Sequence, residues 1–332
     1  MKVIDIYPPI NKGNFVPVVL TLGFFDGVHL AHQKIIQFAK KISKSKGIPL
    51  AVMTLVPHPD VIYKNVPKNK YIYLSTRKRK IELMRKMGVD ILYFVHFTKK
   101  FIKLTPYEFV NDFLVVLNPK IVIAGFDYTF GDHKIANMKL LYKLSSDRFN
   151  VIEIPCLKIN NKKISSSLIR KLISSGQIDT ANKYLGYPYE NSGKIIHGYQ
   201  RGRKLGFPTV NVKIDAQQQI PGIGIYAVEV IIDNKYYYGV CSVGHNVTFG
   251  NFLPLSVEIY IFNYSGNLYD KKIKILWFHY LRNEVKFDNI NSLIKQMKMD
   301  VKETKDFFNL LKNKRNEILW ILMIFWIKSI MI

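Results

Sequence analysis

The sequence predicts an α/β protein in two parts: a parallel sheet covered by helices, then a small closed antiparallel β-barrel. Three observations carry this. Through about residue 186, apolar runs of strand length alternate with stretches of helical length, the pattern of a parallel sheet with crossover helices. From about Ser192 the period changes to six successive strand-like segments joined by short polar turns, and closure into a barrel removes their exposed edges. A chain of 332 residues, 48% hydrophobic and 22% charged, is long and apolar enough for two ordinary cores.

In the first part, buried strands are expected at Val18–Phe25, Leu50–Val56, Ile91–Phe97, Ile121–Gly125 and Val151–Pro155. Helices are expected between them at Gln33–Ser45, Thr76–Met87, Pro106–Leu117 and Met138–Ser146. Ser165–Ser175 and Gln177–Leu185 read as two short helices split by Gly176. In the second part, strands are expected at Lys194–His197, Thr209–Ile214, Ile225–Asp233, Tyr236–Val243, Ser256–Asn263 and Lys272–Leu281. Asp233-Asn234 and Ser265-Gly266-Asn267 supply turn chemistry, and a last helix, about Ile290–Leu311, covers one side. The boundary falls near Gly186-Tyr187-Pro188, giving domains 1–186 and 187–312 with an apolar tail, 313–332.

The net charge of +25 invites a nucleic-acid reading, yet only nine of the 49 basic residues are Arg and the Lys are spread along the whole chain. Together with the abundance of Ile, Asn, Tyr and Phe, this reads as compositional drift rather than a local binding patch, and no nucleic-acid partner is expected. Cys156 and Cys241 lie far apart with no metal-ligand spacing, which fits a reducing cytoplasm. The N-terminus shows no basic start followed by an apolar run, so no signal peptide is expected. In the tail Ile318–Ile332 the unbroken apolar run stops at Lys328, short of the roughly 20 residues a spanning helix needs. An end helix, a surface-lying helix or a functionless extension are its open readings, with no stable membrane association expected.

The chemistry begins where the first strand ends, in Gly23-Phe24-Phe25-Asp26-Gly27-Val28-His29-Leu30-Ala31-His32. Two histidines three apart at a helix start share one face beside the positive end of the helix dipole, which suits negative charge on a phosphate. Gly23 and Gly27 let the backbone approach a nucleotide. Downstream, Ile164-Ser165-Ser166-Ser167-Leu168-Ile169-Arg170 puts three hydroxyls at a helix start and a planar cation one turn further in. That is a plain cap or a triphosphate grip. Gly125-Phe126-Asp127-Tyr128-Thr129-Phe130-Gly131 follows the fourth strand, at the sheet edge where α/β folds bind ligands.

In the second part, Gly198-Tyr199-Gln200-Arg201-Gly202-Arg203-Lys204-Leu205-Gly206-Phe207-Pro208-Thr209-Val210-Asn211 joins a glycine-rich basic loop to a Thr-x-Asn pair. Such a loop can wrap phosphates with backbone N–H groups, and Thr209 and Asn211, two apart on a strand, offer oxygens on one side to Mg²⁺. Two decoys fail. Gly193…Gly198 lacks the Lys-Ser/Thr of a phosphate loop, and Gly222-x-Gly224-x-x-Ala227 runs into a strand where a dinucleotide fingerprint needs a helix.

FFDGVHLAHQ, PHPD (Pro57–Asp60), GFDYTFG and ISSSLIR, in that order, resemble the signatures of the bacterial bifunctional riboflavin kinase/FAD synthetase family. GYQRGRKLGFPTVNV, IPGIGIYAVEV, YYGVCSVG, SVEIYIF and the Tyr269…Arg282…Glu284…Phe287 pattern continue the resemblance to about Asp300. The resemblance implies a Rossmann-like nucleotidyltransferase domain followed by a six-stranded riboflavin kinase barrel. It implies riboflavin, FMN, FAD and ATP as partners, ATP as co-substrate, Mg²⁺ as cofactor, and a monomer or weak oligomer in the cytoplasm.

Residue by residue, the resemblance puts His29 and His32 on the reacting phosphates, helped by Arg170. Gly23, Phe25, Asp26, Gly27, Ser165, Ser166 and Ser167 would hold the ATP of the first reaction. His58, Pro59, Gly125, Asp127 and Arg282 would line flavin and nucleotide clefts. In the barrel Gly202, Arg203 and Gly206 would hold phosphate, Thr209 and Asn211 the metal, and Glu258 would be the general base. Glu258 rests on the resemblance alone. Departures are visible: Ala31 replaces a Gly, Thr129 a basic residue, Ser167 a Thr, Asn246-Val247-Thr248 an Arg-Pro-Thr and Asp270 a Gly. A kinase-only enzyme, and a basic RNA-binding protein reusing the fold, are the alternatives.

Overall fold

The structure, a computed structural model, describes residues 1–10, 13–67, 70–131, 134–198, 202, 205–245 and 255–330, with side chains described as far as residue 313. The chain forms two compact units. One contains Met1–Arg170, Tyr184–Gly186 and Ala216–Gln219; the other contains Lys171–Lys183, Tyr187–Asp215 and Ile220–Ile332.

In the first unit, β1 (Lys2–Ile6), β2 (Val18–Leu22), β3 (Leu50–Val56), β4 (Ile91–His96), β5 (Pro119–Gly125) and β6 (Asn150–Ile154) form one parallel sheet in the order β1-β4-β3-β2-β5-β6. Every residue of β2 is buried, as expected for a strand covered on both faces. Helices α1 (Leu30–Lys46), α2 (Pro59–Tyr63), α3 (Arg77–Lys86), α4 (Pro106–Glu108) and α5 (Met138–Ser145) fill the connections. The strand order reverses at β2, which pairs with β3 on one side and β5 on the other. Loops leaving the carboxyl ends of these three neighbours therefore converge at a switch point.

Strand β1 is a correction to the sequence reading, which starts the sheet at Val18. Its five residues are mostly exposed and lie at the sheet edge, so they lack the apolar run that marks a central strand. The stretch expected as one helix over Pro106–Leu117 begins with a Thr105 capping box and one α turn, then winds as a π-helix over Phe109–Leu114 and a 3₁₀ turn over Val115–Leu117. The wider winding buries Phe109, Val110, Phe113 and Leu114 together. Two strands too short to show a pattern, β7 (Lys158–Ile159) and β8 (Lys162–Lys163), pair as a hairpin around Asn160 and Asn161, both at positive φ.

Helices α6 (Ser166–Ser174) and α7 (Ile178–Leu185) follow. In the second unit β9 (Tyr189–Ile196), β10 (Thr209–Ile214), β11 (Gly224–Ile232), β12 (Lys235–Gly244), β13 (Ser256–Ile261) and β14 (Lys272–Arg282) close into the antiparallel barrel the sequence predicts. Inward positions alternate along β13: Val257, Ile259 and Ile261 are buried while Ser256, Glu258 and Tyr260 are not. The buried Trp277 indole donates to Asn191 Oδ1 at 2.9 Å, giving the core its polar partner. Strand β9 starts at Tyr189, five residues before the sequence reading places it. Helix α8 (Ile290–Ile330) runs on past Leu311 through the backbone of the tail. Its Phe308 is buried and stacks on Tyr238 at 4.0 Å.

Candidate active sites

The turn after β2 is the centre of the first site. Phe25 adopts φ 53 and Gly27 φ 73, then His29 caps α1 from an extended conformation. A Cβ at Gly27 would combine that left-handed backbone with contact at 3.0 Å to Leu74. Beneath the turn lies the Asp26 carboxylate, 1% exposed. It accepts from the backbone N–H groups of Leu74 (3.0 Å) and Ser75 (3.1 Å) and from Arg170 at 2.6 Å. Ser75 Oγ accepts in turn from Gly27 N at 3.0 Å. Asp26 is thus the anchor that ties the turn to the start of α3 and to α6.

The same anchor orders α6. Ser166 Oγ donates to the Asp26 carbonyl at 3.0 Å, and Ser165 Oγ accepts from Leu168 N at 3.3 Å as a helix cap. Ser167 is exposed. Arg170 stands with its guanidinium between Asp26 and Tyr71, 5.7 Å over the Tyr71 ring, while its Nε has no partner among the described residues.

His29 and His32 stack ring on ring, centroids 3.5 Å apart and 17° from parallel. His29 is buried and His32 half-buried, and the enclosed Nδ1 of each lacks a partner among the described residues. Burial holds His29 down to about 4 despite the nearby Asp26 carboxylate. Burial, then the neighbouring His29, push His32 well below the ordinary histidine range. Near neutral pH both rings are neutral, so each offers one N–H donor rather than a full charge. Phe25 closes the back of the pair, edge-on to His32 at 5.1 Å. Buried polar atoms without partners are costly and concentrate where function needs them.

The neighbouring strand ends add the other walls. After β3, His58 caps α2 at Pro59, its Nδ1 accepting from Asp60 N at 3.1 Å, and burial lowers His58 to about 4. It stacks on Tyr71 at 4.7 Å and meets Phe24 edge-on at 4.2 Å. After β5, Gly125 leads to Asp127, half-exposed and ion-paired with Lys163 at 2.6 Å. The three signatures expected to act together therefore leave adjacent strands. Ala31 lies in the first turn of α1.

Lys80 belongs to the same neighbourhood and escapes the sequence reading. It sits in the run Arg77-Lys78-Arg79-Lys80, which looks solvated, but Lys80 alone is spaced i+3 and i+4 from the buried Leu83 and Met84 and so falls at the centre of their face. That phase is the signal that could have found it. Its Nζ donates to the Phe24 carbonyl at 2.7 Å and to Thr54 Oγ1 at 3.1 Å, and lies 4.2 Å over the Phe24 ring.

The second site lies on the wall of the barrel. On β10 and β13, Thr209 faces Tyr260 and Asn211 faces Glu258 in antiparallel register. Opposite and alternate residues share a face, so Thr209, Asn211 and Glu258 form one polar patch. Thr209 Oγ1 donates to Glu258 Oε2 at 3.4 Å. Ser242 of β12 faces Glu258 from the other side. The loop over this patch comes very close: a Cβ at Gly198 would overlap the Asn211 amide at 2.0 Å. Gly202 accepts from Leu205 N and Phe207 N at 3.0 and 2.9 Å, and Gly206 turns with φ 82. Arg203, expected on phosphate, lies outside the described residues.

A cavity of about 350 Å³ opens beside Thr209, lined by Ile195, Pro208, Val210, Tyr264, Leu268 and Tyr269 among others. Arg282 is not part of that lining. Its guanidinium forks onto the buried Asp300, with Nε to Oδ1 at 2.8 Å and Nη2 to Oδ2 at 2.7 Å. Among the described residues no cluster of His, Cys, Asp and Glu forms a ready-made metal cage.

The FAD synthetase family model matches residues 12–168, and the riboflavin kinase family model matches residues 185–308. A Listeria monocytogenes protein described as a bifunctional riboflavin kinase/FMN adenylyltransferase is 40% identical over 310 residues, covering 93% of this chain and 98% of its own. A Bacillus subtilis protein of the same description is 36% identical over 316 residues, covering 94% and 100%. A crystal structure from Streptococcus pneumoniae, described as a macrolide-efflux protein, superposes with a TM-score of 0.84 at 31% identity, covering 92% of this chain and 99% of that one. Among the described residues of this chain no helix is long and apolar enough to cross a membrane. The chain belongs to the bifunctional riboflavin kinase/FMN adenylyltransferase family.

Proposed function

We propose that this member of the family divides its two reactions by domain: residues 1–186 carry adenylyl transfer, residues 187–312 carry phosphoryl transfer, and residues 313–332 carry neither. The overall activity is that of a riboflavin kinase and FMN adenylyltransferase. One ATP phosphorylates riboflavin to FMN; a second adenylylates FMN to FAD with release of pyrophosphate.

In the barrel, the riboflavin 5′-hydroxyl oxygen attacks the γ-phosphorus of ATP, the bond to the β–γ bridging oxygen breaks, and ADP leaves. Glu258 takes the hydroxyl proton, and the Thr209 hydroxyl on its Oε2 orients the carboxylate. Thr209 and Asn211 present neutral oxygens on the same face as that carboxylate. This hard donor set fits a magnesium ion that keeps most of its shell for water and phosphate oxygens. Bound there, Mg²⁺ neutralises charge on the nucleotide phosphates. Gly202, Gly206 and the cavity beside Thr209 receive the nucleotide.

At the sheet, a phosphate oxygen of FMN attacks the α-phosphorus of ATP, and pyrophosphate departs. No protein group needs to bond to phosphorus, so the residues position and stabilise charge. His29 and His32 donate N–H groups from the N-terminus of α1. Arg170 faces the phosphates from α6 while Asp26 fixes its direction. His58, Pro59, Gly125 and Asp127 border the flavin and adenine. The observation that carries this reading is the stacked His29–His32 pair at the switch point, in the same turn as the buried Asp26 carboxylate that holds Arg170.

Small metabolites, not nucleic acid, are the partners in this reading. The enzyme acts in the cytoplasm as a monomer or weak oligomer. Product analysis after incubation with riboflavin, ATP and Mg²⁺ tests it: FMN appears first and FAD follows. FMN accumulating without FAD would leave a kinase alone, and no flavin turnover with RNA retained in moderate salt would overturn the enzyme reading.

A further inference from the structure

Lys80 is a buried ammonium held by neutral oxygens. It is 4% exposed, and its hydrogen bonds run to the Phe24 carbonyl and to Thr54 Oγ1. The arrangement is not needed to satisfy those oxygens. Thr54 Oγ1 itself donates to the Phe24 carbonyl at 2.7 Å, so that carbonyl has a partner without the lysine. A methionine, unbranched like lysine and one atom shorter, would fill most of the space with no charge to bury, and such replacements of buried charge are commonly neutral or stabilising. Lys80 is therefore a costly group whose hydrogen bonds the fold can do without.

Its position gives the cost a purpose. Phe24 is the residue between Gly23 and Phe25, at the head of the turn that sets His29 and His32. The ammonium thus lies directly behind the segment expected to meet phosphate. The charged and titratable groups around it are Asp26 in the turn, itself ion-paired to Arg170, with His32 on α1 and His58 after β3. Burial is the first cause that keeps His32 and His58 neutral, and the Lys80 charge adds to it in the same sense.

We propose that Lys80 is a positioning residue for adenylyl transfer: its buried charge fixes the Phe24 carbonyl and supports the negative charge of the ATP phosphates in front of the turn. The inference rests on the reading that residues 1–186 carry this reaction. Burial brings the Lys80 ammonium down to about 8, so in the free enzyme it loses its charge just above neutral pH. Phosphates arriving in front of it restore the charge.

The test is Lys80→Met in the full chain, with FAD formation from FMN and FMN formation from riboflavin measured side by side. The expected result is a loss of roughly 10- to 100-fold in FAD formation, less than for a donor in direct contact with the reacting phosphate. FMN formation is unchanged, and the thermal midpoint of the first unit is equal or higher. A variant that adenylylates at the parent rate, or whose first unit melts lower, would make Lys80 structural and overturn the proposal. A second measurement needs no variant. Parent kcat/KM for ATP in FAD formation should fall as pH rises through about 8, while kcat at saturating ATP holds to higher pH; a flat kcat/KM profile from pH 7 to 9 overturns the proposal. A parent that made no FAD from FMN would instead remove the reading beneath it.

Discussion

The two candidate sites, as proposed, handle phosphorus chemistry in opposite ways. At the sheet, His29 and Lys80 are buried, and His29, His32, His58 and Lys80 are all shifted toward their neutral forms, with burial the first cause of each shift. On the barrel wall, Thr209, Asn211 and Glu258 are only partly buried. The difference follows the chemistry. Adenylyl transfer to FMN uses an attacking phosphate that needs no proton removed, so fixed donors and charges in a low-dielectric setting serve it. Phosphorylating a hydroxyl does need a proton acceptor, the role proposed for the partly exposed Glu258 carboxylate.

The largest effect that could break this contrast is Glu258→Gln. It keeps size and hydrogen bonding but removes the base, so riboflavin phosphorylation should fall by roughly 10²–10⁴-fold, with FAD formation from supplied FMN at the parent rate. Thr209→Ala and Asn211→Ala should lose less and regain part of it at raised Mg²⁺, a rescue Glu258→Gln should not show. Riboflavin turnover by Glu258→Gln at the parent rate would mean the proton leaves by another route.

Next comes the histidine pair. His29→Ala or His32→Ala should lower FAD formation by roughly 10²–10³-fold, the range for losing one preorganised donor. FMN formation should continue unchanged. A smaller effect, on stability, sharpens the role of Asp26. Arg170→Met leaves that carboxylate buried without its cation, and breaking a buried pair costs about 3–5 kcal/mol, read as a lower melting temperature for the first unit.

Acid should separate the units in the same sense. Histidines with folded pKa values below the unfolded value bind fewer protons when native, so stability falls as pH drops below about 6.5 toward 4. That places the loss in the first unit. In the second, the hydrogen bond to Asp179 at 2.6 Å raises His279 and helps lower Asp179. The histidine's contribution is full below about 6.5 and fades as pH rises through its raised value. Asp179's is present above about 4 and fades below that. Both groups are about a third exposed or more, so screening leaves the pair worth less than about 1 kcal/mol. At pH 5, then, FAD formation should be lost before FMN formation; the reverse order would contradict these assignments.

Much of this was legible in the sequence because it lies in local pattern. Buried parallel strands such as β2 and β3 are continuous apolar runs, and barrel strands such as β13 alternate, so both parts of the fold were visible. The spacing of His29 and His32 at a helix start was enough to place their rings together. What stayed hidden depends on contacts distant in sequence. Strand β1 has no apolar run and exists through its pairing with β4. Asp26 reads as one acidic residue in a turn until Leu74, Ser75 and Arg170 are folded onto it. Lys80 reads as surface charge, since its three basic neighbours hide its helical phase. Arg282 shows the converse: its partner Asp300, eighteen residues on, cannot be read from a motif.

The claim that two reactions run at two separately built sites is tested most directly by mixing. Glu258→Gln and His32→Ala proteins, each folded, are given riboflavin, ATP and Mg²⁺ alone and together. Alone, the first should make almost no FMN and the second should accumulate FMN with little FAD. Together they should make FAD, because FMN released by one protein is the substrate of the other. A mixture as unproductive as its components, with each variant still folded, would contradict the account.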